Sequence, residues 1–388
     1  MARVRKHRDK WQVLYYDPAG RERSAGVFVK KTDADRKKGE VEHELDQGSW
    51  FDPNRARVTT VADFSEDWLA GRVDLKASTR AGYEQILSAR VLPRWGDHTL
   101  AAVTHTELQR WISEMVDHGL SPNRVRNVYR VMSGLLGGAV KVKIIRGNPA
   151  IGVALPRVRQ SEQLFLTPDQ LAELASEIPK LYRTLVLTLG VTGLRIGEAA
   201  ALRRRHVDVL GRRIHVRENL ERVARPGRRV VWEFGPPKNH RTRYVAIPSH
   251  LAARLNDHLV EIPGKESDFV FPTSTGRHVT PAYFGTHILK PALARTDLPS
   301  EFRTHDLRHT AAAAMIRTGA NPELVKRQLG HGSIQVTYDS YGHLFPDESD
   351  GLADALDAVW ISAGADQIRT KPDSEPVVVP LMKEKTPL

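Results

Sequence analysis

The sequence predicts a multidomain protein that is mainly α-helical with small β-sheets, and three observations predict this fold class. At 388 residues the chain exceeds the usual size of a single domain. Apolar residues alternate in short stretches near the N-terminus, as in strands, and then recur at helical spacing over a long middle stretch. In the last part, short strand patterns stand between helices, which indicates a mixed α+β module.

Breaks in these patterns divide the chain into four segments. We predict a small β-rich N-terminal module over residues 1–55, an α-helical module over 56–155, a mixed α+β module over 156–350, and a C-terminal helix with a flexible tail over 351–388. A basic linker from Pro156 to Gln163 marks the expected boundary between the helical and mixed modules. Beyond about Ser362 the tail is polar and contains proline, so we expect it to be disordered.

The composition favours a polyanionic partner and excludes several classes of site. Lys and Arg number 58 against 46 Asp and Glu, a net charge of +12 that nucleic acid would match most simply, although a merely basic surface fits equally well. The chain has no Cys and therefore no disulfide, thiolate nucleophile or Cys-based zinc site, which fits a reducing cytoplasm. No apolar run reaches membrane-spanning length and no signal peptide is visible, so we expect no membrane partner.

In the N-terminal module, strand patterns run from Trp11 to Tyr16 and from Ser24 to Lys30, joined by a turn at Asp17–Gly20. A charged helix is expected from Thr32 to Gln47, with Thr32 as its N-cap. A small sheet edged with basic residues can enter a DNA major groove, and the alternative is a solvated basic face. The candidate DNA contacts in this module are Arg3, Arg5, Lys6, Arg21, Arg23 and Lys30.

The helical module carries apolar residues at helical spacing, such as Phe64, Trp68, Leu108 and Trp111. One helix should open at Ser78–Arg80 and break between Pro93 and His98, and another should open at Ser121–Asn123 with proline in its first turn. Polar and basic residues at helix starts can contact phosphates and base edges. The candidate DNA contacts here are Ser78, Thr79, Arg80, Asn123, Arg124, Arg126, Asn127 and Arg130.

The mixed module should begin with a helix at Thr167, which stands at capping-box spacing from Gln170. Strands are expected around Arg213–Glu218, Val230–Phe234 and Thr242–Ile247, with helices from Pro248 onward. After the module, an apolar stripe predicts one short helix; it consists of Leu352, Leu356, Val359 and Trp360.

Two arginines stand in motifs suited to holding a phosphate. Arg195 lies in Thr192–Glu198 just after Gly193, so a tight turn can deliver its side chain to a pocket. Arg308 lies in His305–His309, on an expected helix that also carries His305 one turn earlier. A guanidinium stays charged and binds two oxygens at once, which matches the charge that develops on a phosphodiester in transfer. An arginine on its own usually forms a surface salt bridge, and it is the pair within these motifs that indicates a phosphate site.

Histidines and a tyrosine complete the candidate site. His305 can hydrogen-bond a phosphate oxygen or shuttle a tyrosine proton, and His331, after the flexible Gly330, can donate to the same phosphate. His309 is expected in the core or behind the site; a zinc site on His305 and His309 would need a third ligand and a glutamate base. Tyr341 heads Tyr-Gly-His-Leu and is the preferred nucleophile over Tyr338.

Lys238 lies between two expected strands, in the turn Gly235–Arg243. An expelled alkoxide is very unstable, so the leaving 5′-oxygen of a cleaved phosphodiester needs a proton. A lysine on a hairpin turn can reach that oxygen as a general acid, although a turn lysine on its own is usually only solvated.

Taken together and in this order, the motifs resemble the catalytic set of the tyrosine recombinases, the family of phage and mobile-element integrases. The matching residues are Arg195, Lys238, His305, Arg308, His331 and Tyr341, and Glu198 matches an acidic position of the family. The resemblance implies that the mixed module is the tyrosine recombinase catalytic domain. It also implies that the helical module is a core-type DNA-binding domain and the N-terminal module an arm-type DNA-binding domain.

The resemblance further implies an integrase that forms a 3′-phosphotyrosyl link through Tyr341 while Lys238 protonates the leaving oxygen, with no metal and no cofactor. Four subunits would act on two double-stranded DNA attachment sites, with an excision factor and a host DNA-bending protein as candidate further partners. The tail would dock on a neighbouring subunit, and the expected location is the bacterial cytoplasm, at the nucleoid.

Three alternatives stay open. A type IB topoisomerase-like enzyme shares the phosphotyrosine chemistry, but a three-module layout favours recombination. A chromosome-dimer resolvase of the same family usually lacks an N-terminal module such as residues 1–55. A DNA-binding regulator with an inactive site would retain the modules but would show no change in strand exchange when Tyr341 is replaced.

Overall fold

The computed structural model of the chain describes residues 2–48, 50, 53–158, 163–223, 231–237, 241–345 and 349–362. Lys238 lies outside the described residues, as do its neighbours Asn239 and His240 and the tail beyond Ser362.

The N-terminal module is a three-stranded antiparallel sheet covered by one helix: β1 (Ala2–His7), β2 (Lys10–Tyr16), β3 (Glu22–Phe28) and α1 (Lys31–Asp46). Strand β1 was not predicted, because basic residues surround its short apolar alternation of Ala2 and Val4. It pairs along its whole length with β2, from Ala2 opposite Tyr15 to His7 opposite Lys10. Ala2, Tyr15 and Val41 form the small core beneath α1.

The helical module consists of six helices, α2 (Pro53–Val58), α3 (Val61–Ala70), α4 (Ala77–Ile86), α5 (Leu92–Trp95), α6 (His105–Asp117) and α7 (Pro122–Lys141). A π-helical turn at Leu87–Val91 joins α4 directly to α5, and the helical stretch ends within the break predicted between Pro93 and His98. Pro93 occupies the first turn of α5, where the missing amide hydrogen is tolerated, and the helix ends at Trp95.

The core of the helical module is built around Trp95, which is fully buried and meets Trp111 edge-on. Leu135 and Leu136 of α7 are completely buried in the same cluster. The predicted opening of α7 at Ser121–Asn123 is confirmed, with Pro122 in its first turn.

The mixed module contains nine helices and five strands among the described residues. The helices are α8 (Pro168–Glu177), α9 (Lys180–Thr192), α10 (Ile196–Ala200), α11 (Ser249–Glu261), α12 (Pro281–Tyr283), α13 (Lys290–Leu293), α14 (Asp306–Arg317), α15 (Pro322–Leu329) and α16 (Ile334–Tyr341). The strands are β4 (Val207–Asp208), β5 (Arg213–Val216), β6 (Asn219–Val223), β7 (Val231–Gly235) and β8 (Arg243–Ala246). Strands β4, β5 and β8 form one antiparallel sheet and β6 and β7 a separate hairpin. The last helix, α17 (Ser349–Ser362), follows the module.

The residues at the helix ends explain where the elements that carry the site motifs begin and end. The predicted capping box of α8 is confirmed, since Thr167 and Gln170 each accept a hydrogen bond from the other's backbone amide. Helix α9 ends at Gly193 with a φ of 70°, and a Cβ there would lie 2.3 Å from the Leu329 side chain. Helix α15 ends likewise at Gly330 with a φ of 71°, against the Arg243 guanidinium. Both motif glycines therefore sit where other residues would be strained.

Side-chain contacts link the modules. Arg146 forms an ion pair of 2.6 Å with Glu44 of α1. Ser78, at the start of α4, donates a hydrogen bond of 2.7 Å to Glu221 on β6. The exact boundaries between the modules remain predictions. None of the helices in the described part of the chain is long and apolar enough to cross a membrane.

Candidate active site

The turn that follows α9 places Arg195 at the entrance of a charged cluster. Its backbone and Nη1 each donate 3.0 Å hydrogen bonds to Glu198, and its Nη2 donates to the Gly330 carbonyl at 3.3 Å. Arg195 is therefore tied to both the first arginine motif and the Leu-Gly-His motif. Its side chain remains partly exposed, so one side of the guanidinium can face a ligand.

Glu198 is the buried anion that holds this cluster together. Arg243 of β8 donates two hydrogen bonds to its carboxylate, Nη1 to Oε1 at 2.9 Å and Nη2 to Oε2 at 2.8 Å. Burial alone would raise the pKa of Glu198, but the bonds and charge of Arg243, followed by those of Arg195, lower that pKa to about 2. Glu198 is ionised at neutral pH and orients both arginines.

Arg308, on the first turn of α14, is a buried cation. Its Nη1 donates to the Gly193 carbonyl at 2.6 Å, while its Nη2 is buried and meets no hydrogen-bond acceptor within the described parts of the chain. Burial first, and then the charge of Arg195, lower the pKa of Arg308 to about 9, which still leaves it charged at pH 7. A buried donor of this kind is costly unless an anion completes it.

Tyr341, the last residue of α16, lies inside the same cluster. Its side chain is 1% exposed, and its hydroxyl is 2.8 Å from Nδ1 of His309. Burial raises the pKa of Tyr341 to about 12, although Arg308 and Arg195 act in the opposite direction. Tyr338, the competing tyrosine, is 49% exposed and packs against Phe345. Only Tyr341 shares the cluster with the arginines.

His331 lies parallel to the Tyr341 ring, with the two planes 10° apart and the centroids 6.2 Å apart. Its Nδ1 is 2.9 Å from the Thr337 hydroxyl. Burial and then the charges of Arg308, Arg195 and Arg243 lower the pKa of His331 to about 3. The ring is therefore neutral at pH 7, and it offers an N–H to a ligand in the tautomer whose Nδ1 accepts from the Thr337 hydroxyl.

His305 lies at the N-cap of α14 and is exposed, whereas Arg308 one turn later is buried. The two side chains therefore do not share a common environment, although they stand on the same helix start. The His305 and His309 rings meet edge to face with centroids 5.0 Å apart. The structure differs from the sequence analysis here, because His309 rather than His305 contacts the tyrosine hydroxyl.

Two features of the site were missed from sequence. The first is the contact of His309 with Tyr341, and the only available signal was its place directly after Arg308. The second is Arg243, whose signal was a single arginine inside an expected strand of apolar residues. Lys238, the remaining predicted residue, lies outside the described residues, and no group of metal-binding side chains occurs within those described.

The candidate DNA contacts of the N-terminal module lie on its sheet and around it. Arg3 is paired with Glu22 at 2.5 Å, and Arg5 donates to Gln12 on the neighbouring strand. Arg23 is half-buried and forms an ion pair with Asp17. The hydrogen bond from the Arg21 backbone amide lowers the pKa of Asp17 most, and the bond from Arg23 lowers it further. The remaining candidates are exposed: Lys6, Arg21 and Lys30.

The candidates of the helical module fall into two groups. Exposed side chains near the starts of α4 and α7 are free of the core: Thr79, Asn123, Arg124, Asn127 and Arg130. The others contact the protein itself, with Arg80 donating to the Arg72 carbonyl, Arg126 to the Pro156 carbonyl and Ser78 to Glu221. These DNA contacts remain predictions.

Comparison with known proteins identifies the family of these modules. Residues 164–348 match the phage integrase family, and residues 60–116 match the N-terminal SAM-like domain of phage integrases. The first match contains every motif of the charged cluster.

Relatives extend the likeness over most of the chain. An integrase of Mycobacterium phage FRAT1 is 30% identical over 301 residues, covering 74% of this chain and 86% of the relative. The prophage phiRv2 integrase of Mycobacterium tuberculosis is 29% identical over 335 residues, covering 84% and 86%. The ICEBs1 integrase of Bacillus subtilis is 26% identical over 327 residues, covering 79% and 86%.

Solved structures share the fold. The Tn1549 transposon integrase in complex with transposon right end DNA matches with a TM-score of 0.67 and 22% identity, over 77% of this chain and 99% of that chain. A lambda integrase tetramer bound to a Holliday junction matches with a TM-score of 0.55 and 17% identity, over 85% and 95%. These likenesses confirm the predicted fold class. One relative is 30% identical along most of both chains, and the match to the family includes every motif of the charged cluster. This chain therefore belongs to the phage integrase family of tyrosine recombinases.

Proposed function

We propose that this chain is a site-specific integrase that inserts a phage or other mobile element into DNA and excises it, with Tyr341 as its nucleophile. Members of the family cleave and rejoin DNA strands, and this chain is such an enzyme. One observation supports the assignment of residues above the others: the tyrosine hydroxyl is buried in the same cluster as Arg308, which carries an unsatisfied donor among the described residues.

In the proposed reaction, the Tyr341 oxygen attacks the scissile phosphorus and the bond to the 5′-oxygen breaks. The products are a 3′-phosphotyrosyl link and a free 5′-hydroxyl, and a 5′-hydroxyl from a partner strand reverses the step. Because the ester keeps the bond energy, no nucleotide cofactor is required. Arg195 and Arg308 hold the non-bridging oxygens, whose growing negative charge strengthens both contacts in the transition state.

Two further groups assist in this scheme. With the Thr337 hydroxyl donating to Nδ1 of His331, the ring proton sits on Nε2, from which it can be donated to a phosphate oxygen. Lys238 protonates the leaving oxygen; this role depends on its place in the motif alone. His305, exposed at the start of α14, binds the phosphate from the solvent side.

The proposed partner is a double-stranded DNA attachment site, held between the helical and mixed modules with the N-terminal sheet on a separate arm site. The net charge of +12 supports this, and phosphate contacts should make the affinity fall steeply with salt. The names of the relatives, which are phage, prophage and ICEBs1 integrases, support a mobile element as the cargo.

We further propose assembly into a tetramer on DNA, as the lambda integrase neighbour forms on a Holliday junction. Helix α17 presents an exposed apolar stripe that includes Leu352, Leu356 and Trp360. A groove of about 840 Å³ on the mixed module, lined by apolar residues of α8, α14 and α15, could receive this stripe from a neighbouring subunit. An excision factor, a host DNA-bending protein and a nucleoid location in a bacterial cytoplasm belong to the proposal through the family resemblance.

Covalent trapping tests the nucleophile and the reaction together. The protein is incubated with nicked DNA from the ends of its own element, and adducts are separated on a denaturing gel. We expect an adduct with the wild type and with Tyr338→Phe, and none with Tyr341→Phe. Loss of the adduct in Tyr338→Phe alone would identify Tyr338 as the nucleophile. Tight binding without an adduct from any protein would favour a DNA-binding regulator instead.

A further inference from the structure

The hydroxyl of the proposed nucleophile has a specific hydrogen-bond partner that the six-residue motif set does not include. His309 Nδ1 lies 2.8 Å from the Tyr341 oxygen, and the two rings meet edge to face at 64°. The ring nitrogen therefore lies at hydrogen-bonding distance from the hydroxyl, as proton transfer requires. Since Tyr341 is 1% exposed, bulk water does not reach this oxygen in the structure.

The other side chains around the tyrosine are poorly placed to accept its proton. Arg195 and Arg308 are cations and have no lone pair to offer. His331 lies parallel to the phenol ring with the centroids 6.2 Å apart, and its Nδ1 is hydrogen-bonded to Thr337 rather than to the Tyr341 hydroxyl. His309 is the neighbour whose nitrogen faces the reacting oxygen.

The surroundings of His309 keep its ring neutral and therefore able to accept a proton. Burial lowers the pKa of His309; Asp306 raises it, and Arg308 and Arg303 lower it further. His305 meets the same ring edge to face on the solvent side. A neutral imidazole that accepts the Tyr341 hydroxyl at Nδ1 carries its own proton on Nε2.

Building on the function proposed above, we propose that His309 is a catalytic residue, the general base for Tyr341. As the tyrosine oxygen bonds to phosphorus, its proton moves to His309 Nδ1 and the ring becomes an imidazolium. The bond from phosphorus to the 5′-oxygen breaks, and that oxygen takes its proton from the separate general acid. During rejoining, the attacking 5′-hydroxyl returns its proton to that general acid, and His309 returns its proton to the Tyr341 oxygen as the phosphotyrosyl bond breaks. No proton is gained or lost over one cycle.

The test measures single-turnover adduct formation on the nicked DNA. The wild type and Tyr341→Phe are run first, and a wild-type adduct that is lost in Tyr341→Phe establishes the proposed function independently of His309. His309→Asn then places an amide oxygen near the position of Nδ1, which keeps an acceptor for the tyrosine but cannot take its proton. We expect His309→Asn to slow cleavage by about 10²–10⁴-fold, the usual contribution of a general base. His309→Asn cleaving at the wild-type rate would overturn the proposal.

A second substrate separates the two ends of the reaction. In a 5′-bridging phosphorothiolate the leaving group is a thiolate, which needs no proton. We expect this substrate to leave His309→Asn slow but to restore cleavage by Lys238→Ala. Rescue of His309→Asn would mean that His309 serves the leaving group and would also overturn the proposal.

If His309→Asn does not fold or does not bind DNA, His309→Ala with added imidazole tests the same proposal. This substitution leaves a space beside the tyrosine that free imidazole can occupy. We expect imidazole to restore cleavage in proportion to its neutral form, so that rescue rises with pH. Absence of rescue in a variant that binds the nicked DNA normally would count against a proton-accepting role.

Discussion

The charged cluster of the mixed module and the basic sheet of the N-terminal module both carry arginines, but they hold them differently. In the cluster, Glu198 and Arg308 are almost completely buried, and Arg243 binds Glu198 through two bonds. On the sheet, Arg3 pairs with Glu22 while both side chains remain largely exposed. Water screens the exposed pair, whereas the buried charges depend on their neighbours.

The difference indicates what each region is suited to do. Buried and hydrogen-bonded charges hold one geometry, as a site that stabilises a transition state requires. Exposed charges on flexible side chains contribute affinity for a polyanion through counterion release, without a fixed geometry. Within the cluster itself, Glu198 is satisfied on every side by arginines, while Arg308 keeps a donor with no acceptor among the described residues. In the proposed reaction, a phosphate oxygen of the substrate accepts a hydrogen bond from that donor.

The largest expected effect comes from Arg308. Arg308→Met should lower the single-turnover cleavage rate by at least about 10²–10³-fold, because a preorganised donor to the phosphate is lost. It should also raise the thermal unfolding temperature of the free protein, since burial opposes the charge, as its pKa of about 9 reflects. Arg317→Met, an exposed position on the same helix, is the matched control for both measurements. A lower unfolding temperature in Arg308→Met would show that the cation stabilises the empty site.

Glu198→Gln should have the opposite effect on stability. It leaves Arg243 buried without its counter-ion, so we expect a loss of about 3–5 kcal/mol in the free energy of unfolding, measured by urea titration. Glu323→Gln, at an exposed ion pair on α15, should change little. Little difference between Glu198→Gln and Glu323→Gln would mean that the cluster does not depend on this anion.

The difference in unfolding free energy between the wild type and Glu198→Gln should depend on pH. The pKa of Glu198 falls from an ordinary 4.5 to about 2 on folding, so its stabilising contribution is fully present above about pH 4.5. That contribution is lost as the pH falls towards 2. We therefore expect the unfolding free energies of the wild type and Glu198→Gln to converge over this window in acid denaturation experiments. A difference that stays constant with pH would argue against the ionised carboxylate as the cause.

The smallest effect is expected on the basic sheet. Arg5→Ala should weaken DNA binding only modestly and lower the slope of log affinity against log salt by about 1, as expected for one lost phosphate contact. Adduct formation on a nicked core site should remain at the wild-type rate. Lys180→Ala, an exposed basic position on the mixed module, serves as the control. An unchanged salt slope in Arg5→Ala would remove β1 from the DNA-binding surface.

The sequence alone determined the fold class and the features that depend on local chemistry. The capping box at Thr167 and the left-handed glycines at Gly193 and Gly330 follow from residues within one or two turns of each other. The motif order also identified the family, because the arginine, histidine and tyrosine motifs recur in a fixed sequence. Local patterns failed where the apolar alternation was short and surrounded by basic residues, as for strand β1.

Only the tertiary structure decided how the motifs meet. Glu198 and Arg243 are 45 residues apart, and His309 and Tyr341 are 32 residues apart, so their contacts have no signature in local spacing. The packing of α14 against α9 and of α15 against α14 and α16 brings these side chains together. Burial also follows from that packing: it places His309 rather than His305 on the tyrosine hydroxyl, and it leaves one donor of Arg308 unsatisfied among the described residues. Hydrogen bonding and desolvation depend on distances in space. The order of motifs in the sequence could therefore identify candidate residues, but it could not show which of them are in contact or buried.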